Sequence, residues 1–171
     1  MLPKGFTLAP RETEADKSGF IQTLDRQLKT RVYLSICRDK DDDDDDDAAT
    51  TVTAKSWELP SVTLNENETF LEGAKRATKA VAGDELKFIC LSNCPMGVTV
   101  NEYISEEDKK ANEGFFGEKT FFMRVQYDDG DVDKEKVSKF HDWGWLACDE
   151  MAEKVSAEKG DDAALFYKYM L

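Results

Sequence analysis

Between Trp57 and Gly83 the sequence runs W-E-L-P-S-V-T-L-N-E-N-E-T-F-L-E-G-A-K-R-A-T-K-A-V-A-G. Pro60 closes a strand-like run from Thr50 to Leu59, and Ser61 to Glu68 is polar loop. Thr69 to Val81 then has the pattern of a helix. Thr69 can cap its start while Glu72, three residues on, closes the capping box. Phe70, Ala74, Ala77 and Val81 share one face, Leu71 widens it, and Lys75 and Lys79 point outward. The small alanines let this helix lie close to a sheet. Gly83 is placed to end it in a left-handed conformation, where a β-carbon would clash.

Outward from this helix the chain alternates strand patterns with turns. Strands are expected at Arg31 to Cys37, Leu86 to Leu91, Val98 to Tyr103, Thr120 to Tyr127 and Phe140 to Ala147. Ser92 to Gly97 reads as a turn-rich crossing, Ile104 to Gly117 as an exposed loop or short helix, and Asp128 to Asp133 as an acidic turn. Asp149 can cap a helix through Val155, followed by a helical or extended tail. Residues 1 to 19 read as extended or irregular, and a short helix or turn is expected within 20 to 30. Strands around one solid helix and a terminal helix predict an α/β protein with a mixed sheet covered on both sides.

Composition sets outer limits. The chain has 171 residues, 23 Lys and Arg against 36 Asp and Glu, and a net charge of −13. Seven of the acids form the unbroken tract Asp41 to Asp47. Without it, 23 basic residues face 29 acidic ones, a balance of −6. The tract reads as a solvated loop insert, because packed carboxylates repel one another and resist burial. It lacks the spaced oxygens and turning glycine of a calcium loop. Negative surface charge disfavours non-specific grip on a phosphate backbone. There is no run of 18 apolar residues, hence no conventional membrane helix. Cys37, Cys90, Cys94, Cys148 and the single His141 make a poor zinc set, so reduced, mostly buried thiols are expected. Met1 to Pro10 lacks the apolar core of a signal peptide and is too short and mixed for a mitochondrial presequence, which suggests unusual targeting or a mature or trimmed product.

The Trp57–Gly83 segment resembles the loop-helix-loop box of Nudix hydrolases, whose glutamates hold magnesium or manganese beside a diphosphate so that the metal can activate water. In that register Glu68 matches the first glutamate, Arg76 the arginine and Gly83 the last glycine. The other positions depart from it. Val62 stands at the first glycine, Ala77 replaces the glutamate after the arginine, and Thr78 fills an aliphatic place. Ala80 and Val81 occupy the positions of the metal-binding glutamate pair. Methyl groups cannot coordinate a hard divalent cation, and they supply no base. Glu68 then reads as a loop or cap residue and Arg76 as an ion pair between loop and helix.

Further blocks, in chain order, are similar to the family of ribosomal protein forty-six of the mitochondrial large subunit. They are Glu12 to Arg31 with its acidic-Ala-Asp stretch, Leu24-Asp25-Arg26 and Leu28; Trp57-Glu58-Leu59-Pro60; Glu68-Thr69 with Gly73, Ala74 and Arg76; Leu86 to Gly97 with Asn93; Asn112 to Arg124 with Gly117, Lys119 and Phe121-Phe122; His141, Trp143, Trp145 and Asp149-Glu150; and Tyr167-Lys168-Tyr169. The resemblance covers roughly residues 11 to 171. It implies a Nudix-like α/β/α sandwich with a mixed central sheet and no catalytic residues, metal or cofactor. It also implies an architectural role in the central protuberance of the mitochondrial large ribosomal subunit, in the matrix, among neighbouring ribosomal proteins, with limited RNA contact and no membrane insertion. Residues 1–30 would be an extended partner-binding segment with a short helix, and 31–171 the degenerate Nudix-like domain with an acidic insert at 39–49.

Contact residues are less sharply indicated. Arg11, Lys17, Arg26, Lys29 and Arg31 are the candidates for RNA or partner contact, although acids are interspersed among them. Tyr167 and Tyr169 could plug the core or anchor an interface. His141 reads as a hydrogen-bonded structural residue, and no nucleophile accompanies it. Trp143 and Trp145 share a strand face and read as core. Asn67-Glu68-Thr69 matches a glycosylation acceptor, irrelevant inside a cell. Two alternatives remain. One is an active Nudix pyrophosphatase drawing carboxylates from Glu106, Glu107 or Asp108. The other is an acidic adaptor outside the ribosome.

Overall fold

The computed structural model describes residues 10–39, 55–112 and 114–171. The Asp41 to Asp47 tract, residues 1–9 and residues 50–54 of the expected second strand lie outside them. The α/β character read from the sequence is present. The described strand pairings are antiparallel, in one ladder of three strands and two ladders of two. The chain divides into two compact units. One holds the described parts of residues 10–60 with 137–169, the other residues 61–136.

In the first unit, β1 (Val32–Asp39) lies between β2 (Lys55–Glu58) and β7 (Asp142–Ala147). Cys37 faces Trp57 across one ladder and Tyr33 faces Leu146 across the other. The alternation of the strands turns Cys37, Trp57 and Leu146 toward α5 (Cys148–Lys159), where Met151 and Val155 complete a buried cluster. Tyr167 of α6 (Asp161–Met170) packs against the same cluster. On the opposite face Ile36 meets Trp143 and Leu34 meets Trp145. Ile36 and Trp145 are buried, as the two-residue spacing of the tryptophans predicts.

Residues 10–30 fold with this unit. A short helix, α1 (Glu14–Ser18), replaces the irregular chain expected there, because Thr13 and Asp16 form a full capping box. Residues 20–30 are turns and bends, the second of the two forms expected there. Strand β7 is an outer strand, so Trp145 directs its N–H and C=O away from β1. The Ile21 carbonyl accepts that N–H at 2.8 Å, and Arg26 Nη1 donates to that C=O at 2.6 Å. Asp149 is not the cap of α5. The helix begins at Cys148, and the Glu150 carboxylate accepts the Ala147 amide at 2.8 Å.

In the second unit, α2 (Phe70–Ala82) carries the expected capping box, with Thr69 accepting from the Glu72 amide and Glu72 accepting from Thr69. Gly73, Ala77, Val81 and Ala82 are its buried side. Strand β3 (Lys87–Cys90) pairs with β6 (Val125–Asp129), and β4 (Gly97–Glu102) with β5 (Gly117–Phe122). The single strand expected over Thr120 to Tyr127 is therefore two, broken at Met123–Arg124. The break answers the four-residue excursion Ser92–Pro95 on the opposite chain, where proline has no amide to donate. The amides of Leu91 and Met96 carry the ribbon across the gap to the Arg124 and Phe122 carbonyls. Asp128 and Asp129 belong to β6, not to the turn. A short helix, α3 (Glu106–Ala111), follows β4, and α4 (Lys134–Val137) precedes β7.

Among the described residues no helix is long and apolar enough to cross a membrane. Of the four cysteines Cys37 alone is buried and Cys94 is exposed, so the expectation of mostly buried thiols is corrected.

Candidate functional site

The loop before α2 is built on a tight turn. The Glu68 amide donates to the Asn65 carbonyl, and the Asn65 amide donates to Glu68 Oε2 at 2.9 Å. Asn67 takes φ 63°, a left-handed conformation that asparagine tolerates better than most residues. This turn aims the Glu68 carboxylate at the second turn of α2. There Arg76 meets it as a fork, with Nε 2.8 Å from Oε1 and Nη2 2.6 Å from Oε2. Nη2 also donates to the Thr63 carbonyl at 2.7 Å. Leu64 lies over Gly73, where an added β-carbon would stand 2.3 Å from its Cδ2. The loop is thus fastened to the helix at two levels, by an apolar contact and by a bidentate ion pair.

The electrostatics follow from that geometry. The Arg76 guanidinium, helped by the Asn65 amide, holds the Glu68 carboxyl down at about 2. Arg76 is raised in turn, chiefly by the hydrogen bonds to Glu68. Glu72 is lowered by the Thr69 amide that it caps. Both oxygens of Glu68 and Oε2 of Glu72 are therefore engaged by donors within the chain.

The Thr78 hydroxyl donates to the Ala74 carbonyl at 2.9 Å, and Val62, Ala77, Ala80 and Val81 carry only hydrocarbon. Ala77 and Val81 are buried, 6% and 2% exposed, whereas Ala80 faces outward. Val62 is half-buried in the loop. A divalent cation needs oxygen ligands, and these positions present none. Among the described residues, no group of three or more His, Cys, Asp or Glu side chains is placed to hold a metal ion. Glu106 and Glu107, suggested as substitute ligands, are exposed on α3, and Glu106 pairs with Lys109.

Gly83 ends α2, and its φ is positive, but the conformation differs from the one expected. With φ 84° and ψ −170° it is extended beyond the left-handed helical region. The reason is the close approach of Asp133, whose amide donates to the Ala82 carbonyl at 2.8 Å. A β-carbon on Gly83 would stand 2.5 Å from that of Asp133.

The candidate contact residues separate. Arg26 is not offered to a partner. It is 4% exposed, and its guanidinium is divided between the Trp145 carbonyl and a fork on Glu150, at 2.7 and 2.5 Å. Burial pushes the Glu150 carboxyl up, but Arg26 and the Ala147 amide outweigh it and the net shift is downward. Arg11, Lys17 and Lys29 line a cleft of about 580 Å³, in the company of Glu12 and Asp16. Lys17 pairs with Glu14 at 2.7 Å, so the cleft carries mixed charge. Arg31 is exposed. Tyr167 sits against the core, where burial pushes its phenol up, whereas Tyr169 is 83% exposed.

The sequence reading missed three participants. Glu150 is one, with its partner 124 positions away. Asp133 at the end of α2 is the second. The third is the exposed group Ile104, Phe115 and Phe116, whose only signal is an adjacent phenylalanine pair between Gly114 and Gly117. No protein-family model matches the chain.

Proposed function

We propose that this chain is a noncatalytic structural component of the mitochondrial large ribosomal subunit. On this reading it sits in the central protuberance, in the matrix, on a degenerate Nudix-like α/β/α scaffold, and contacts mainly neighbouring ribosomal proteins. The observation that carries the reading is the state of the box. The two positions that would present metal ligands are Ala80 and Val81, and the surviving Glu68 is held by Arg76. A glutamate locked in this way acts as a brace for the loop. The ordered blocks shared with the ribosomal family supply the place of action. Limited RNA contact is supported by the net charge of −13 and by the inward turn of Arg26.

Sedimentation of mitochondrial extract through a gradient, after a salt wash, tests the reading. Comigration with the large subunit is the expected result. Protein found free at the top of the gradient would favour the adaptor reading instead. Incubation with magnesium or manganese and a panel of nucleoside diphosphate derivatives should give no turnover. Robust hydrolysis lost on substitution of Glu106 or Glu107 would establish an enzyme and reject the structural role.

A further inference from the structure

Three large apolar side chains stand nearly bare at the far end of the β4–β5 hairpin. Ile104 is 87% exposed, Phe116 81% and Phe115 62%. The backbone gathers them. Glu102 pairs with Gly117 as the last rung of the ladder, and beyond it the Tyr103 amide donates to the Phe116 carbonyl at 3.0 Å. Ile104 thus leaves one strand where Phe115 and Phe116 lead into the other. Further along the same hairpin Val98 faces Phe121, Val100 follows on the same side, and all three are exposed. Scattered apolar residues on a surface need no explanation, but Ile104, Phe115 and Phe116 are gathered by the backbone at one end of the hairpin, and such a grouping marks an interaction site.

The charge around the group selects its partner. From Glu102 to Lys119 the sequence carries six acids against three lysines. Glu102, Glu106, Glu107 and Glu118 are exposed against the exposed Lys110 and Lys119, and Lys109 is engaged by Glu106 at 2.8 Å, so the rim is acidic on balance. Such a rim repels phosphate, whether on RNA or on an anionic lipid surface. A second copy of the chain would bring the same acids and a further net −13. A positively charged protein segment suits the rim, and apolar side chains on it would bury the phenyl rings.

We propose that the Ile104–Phe115–Phe116 end of the β4–β5 hairpin docks a basic protein segment through apolar anchors. The inference deepens the structural-subunit reading, and rests on it only for where the partner is found.

Fluorescence anisotropy with the purified protein tests it. The probe is a fluorescein-labelled peptide of repeated Lys-Leu-Gly. The comparators are repeated Lys-Ser-Gly, repeated Glu-Leu-Gly and an oligouridine RNA. The Lys-Leu-Gly probe should bind at least about tenfold more tightly than each comparator, and an I104S/F116S variant should lose at least about tenfold in affinity for it. An E106K/E107K variant should weaken binding and flatten its salt dependence. That variant leaves the apolar group intact, so it reports independently of any folding defect in the first. Equal binding of the serine peptide or the RNA overturns the proposal. So does unchanged affinity in both variants, and so does a dimer in sedimentation velocity that I104S/F116S abolishes. Failure to comigrate with the ribosome would leave these affinities as they are, so the two readings fail separately.

Discussion

Arg76 and Glu68 are joined by two parallel hydrogen bonds, 2.8 and 2.6 Å long, across the junction between the loop and α2. In the Nudix pattern that this segment resembles, glutamates face a metal. Here a guanidinium engages both oxygens of Glu68, and the pair fastens two parts of the backbone together.

The fastening gives the protein an acid-sensitive component. The Glu68 carboxyl lies at about 2, against an ordinary 4.5. A folded pKa below the unfolded one stabilises the fold fully above the unfolded value, and the contribution is lost as pH falls through the folded value. Its window therefore runs from about pH 4.5 down to about pH 2. Thermal midpoints should show E68Q less stable than the parent at neutral pH, with the two curves converging through this window. Curves that stay parallel would mean the pair contributes nothing.

Ala80 and Val81, which align with the glutamate pair of the Nudix pattern, are not equivalent. Ala80 faces solvent and Val81 is 2% exposed. A80E should change stability by less than about 0.5 kcal/mol in urea unfolding. V81E places a carboxyl inside the packed side of α2 and should cost more than about 2 kcal/mol. Equal tolerance of both would contradict the helix orientation described.

Arg26 predicts a long-range effect. R26A leaves the Glu150 carboxylate and the Trp145 carbonyl without their donor. The expected loss is about 2–4 kcal/mol, below the upper range for dry ion pairs, because 30% of the Glu150 side chain remains exposed. R26K should recover part of it, since an ammonium cannot reproduce the fork. Urea midpoints within error of the parent for both variants would remove Arg26 from the core.

Gly83 and Gly160 separate strain from overlap. Both end helices with positive φ, 84° and 87°, and extended ψ. Alanine at either should cost about 1–3 kcal/mol of backbone strain. Only at Gly83 does the new β-carbon also meet Asp133, since nothing lies within 4 Å of the Gly160 site. G83A should therefore be the more damaging in thermal melts, and D133G, which removes the opposing carbon, should close part of the gap. A D133A substitution should not.

Helix α2 was legible because its signals are local. Thr69 and Glu72 stand three residues apart, and the apolar face repeats within thirteen residues. The break at Met123–Arg124 was not legible, because Thr120 to Tyr127 alternates without interruption and the cause lies across the ribbon at Ser92–Pro95. The cap of α5 was misplaced by two positions, since it is Ala147 and not Asp149. Asp149 and Glu150 are equally acidic, and only the reach back to Ala147 chooses between them. Arg26 read as a surface cation because its two partners, Trp145 and Glu150, lie more than a hundred residues away. Within Trp57–Gly83, the hydrocarbon at Ala80 and Val81 and the Arg76 ion pair between loop and helix were legible in the letters, whereas the second hold on Glu68, by the Asn65 amide, required the turn itself.

The strap across β7 has a further consequence. Ile21 and Arg26 occupy the outward N–H and C=O of Trp145, which an open strand would otherwise offer to any extended chain nearby. A proteolytic cut after Arg26 that let this segment leave would bare a sticky margin next to buried tryptophan and leucine. Residues 21–26 thus close an edge that would otherwise invite pairing with another strand.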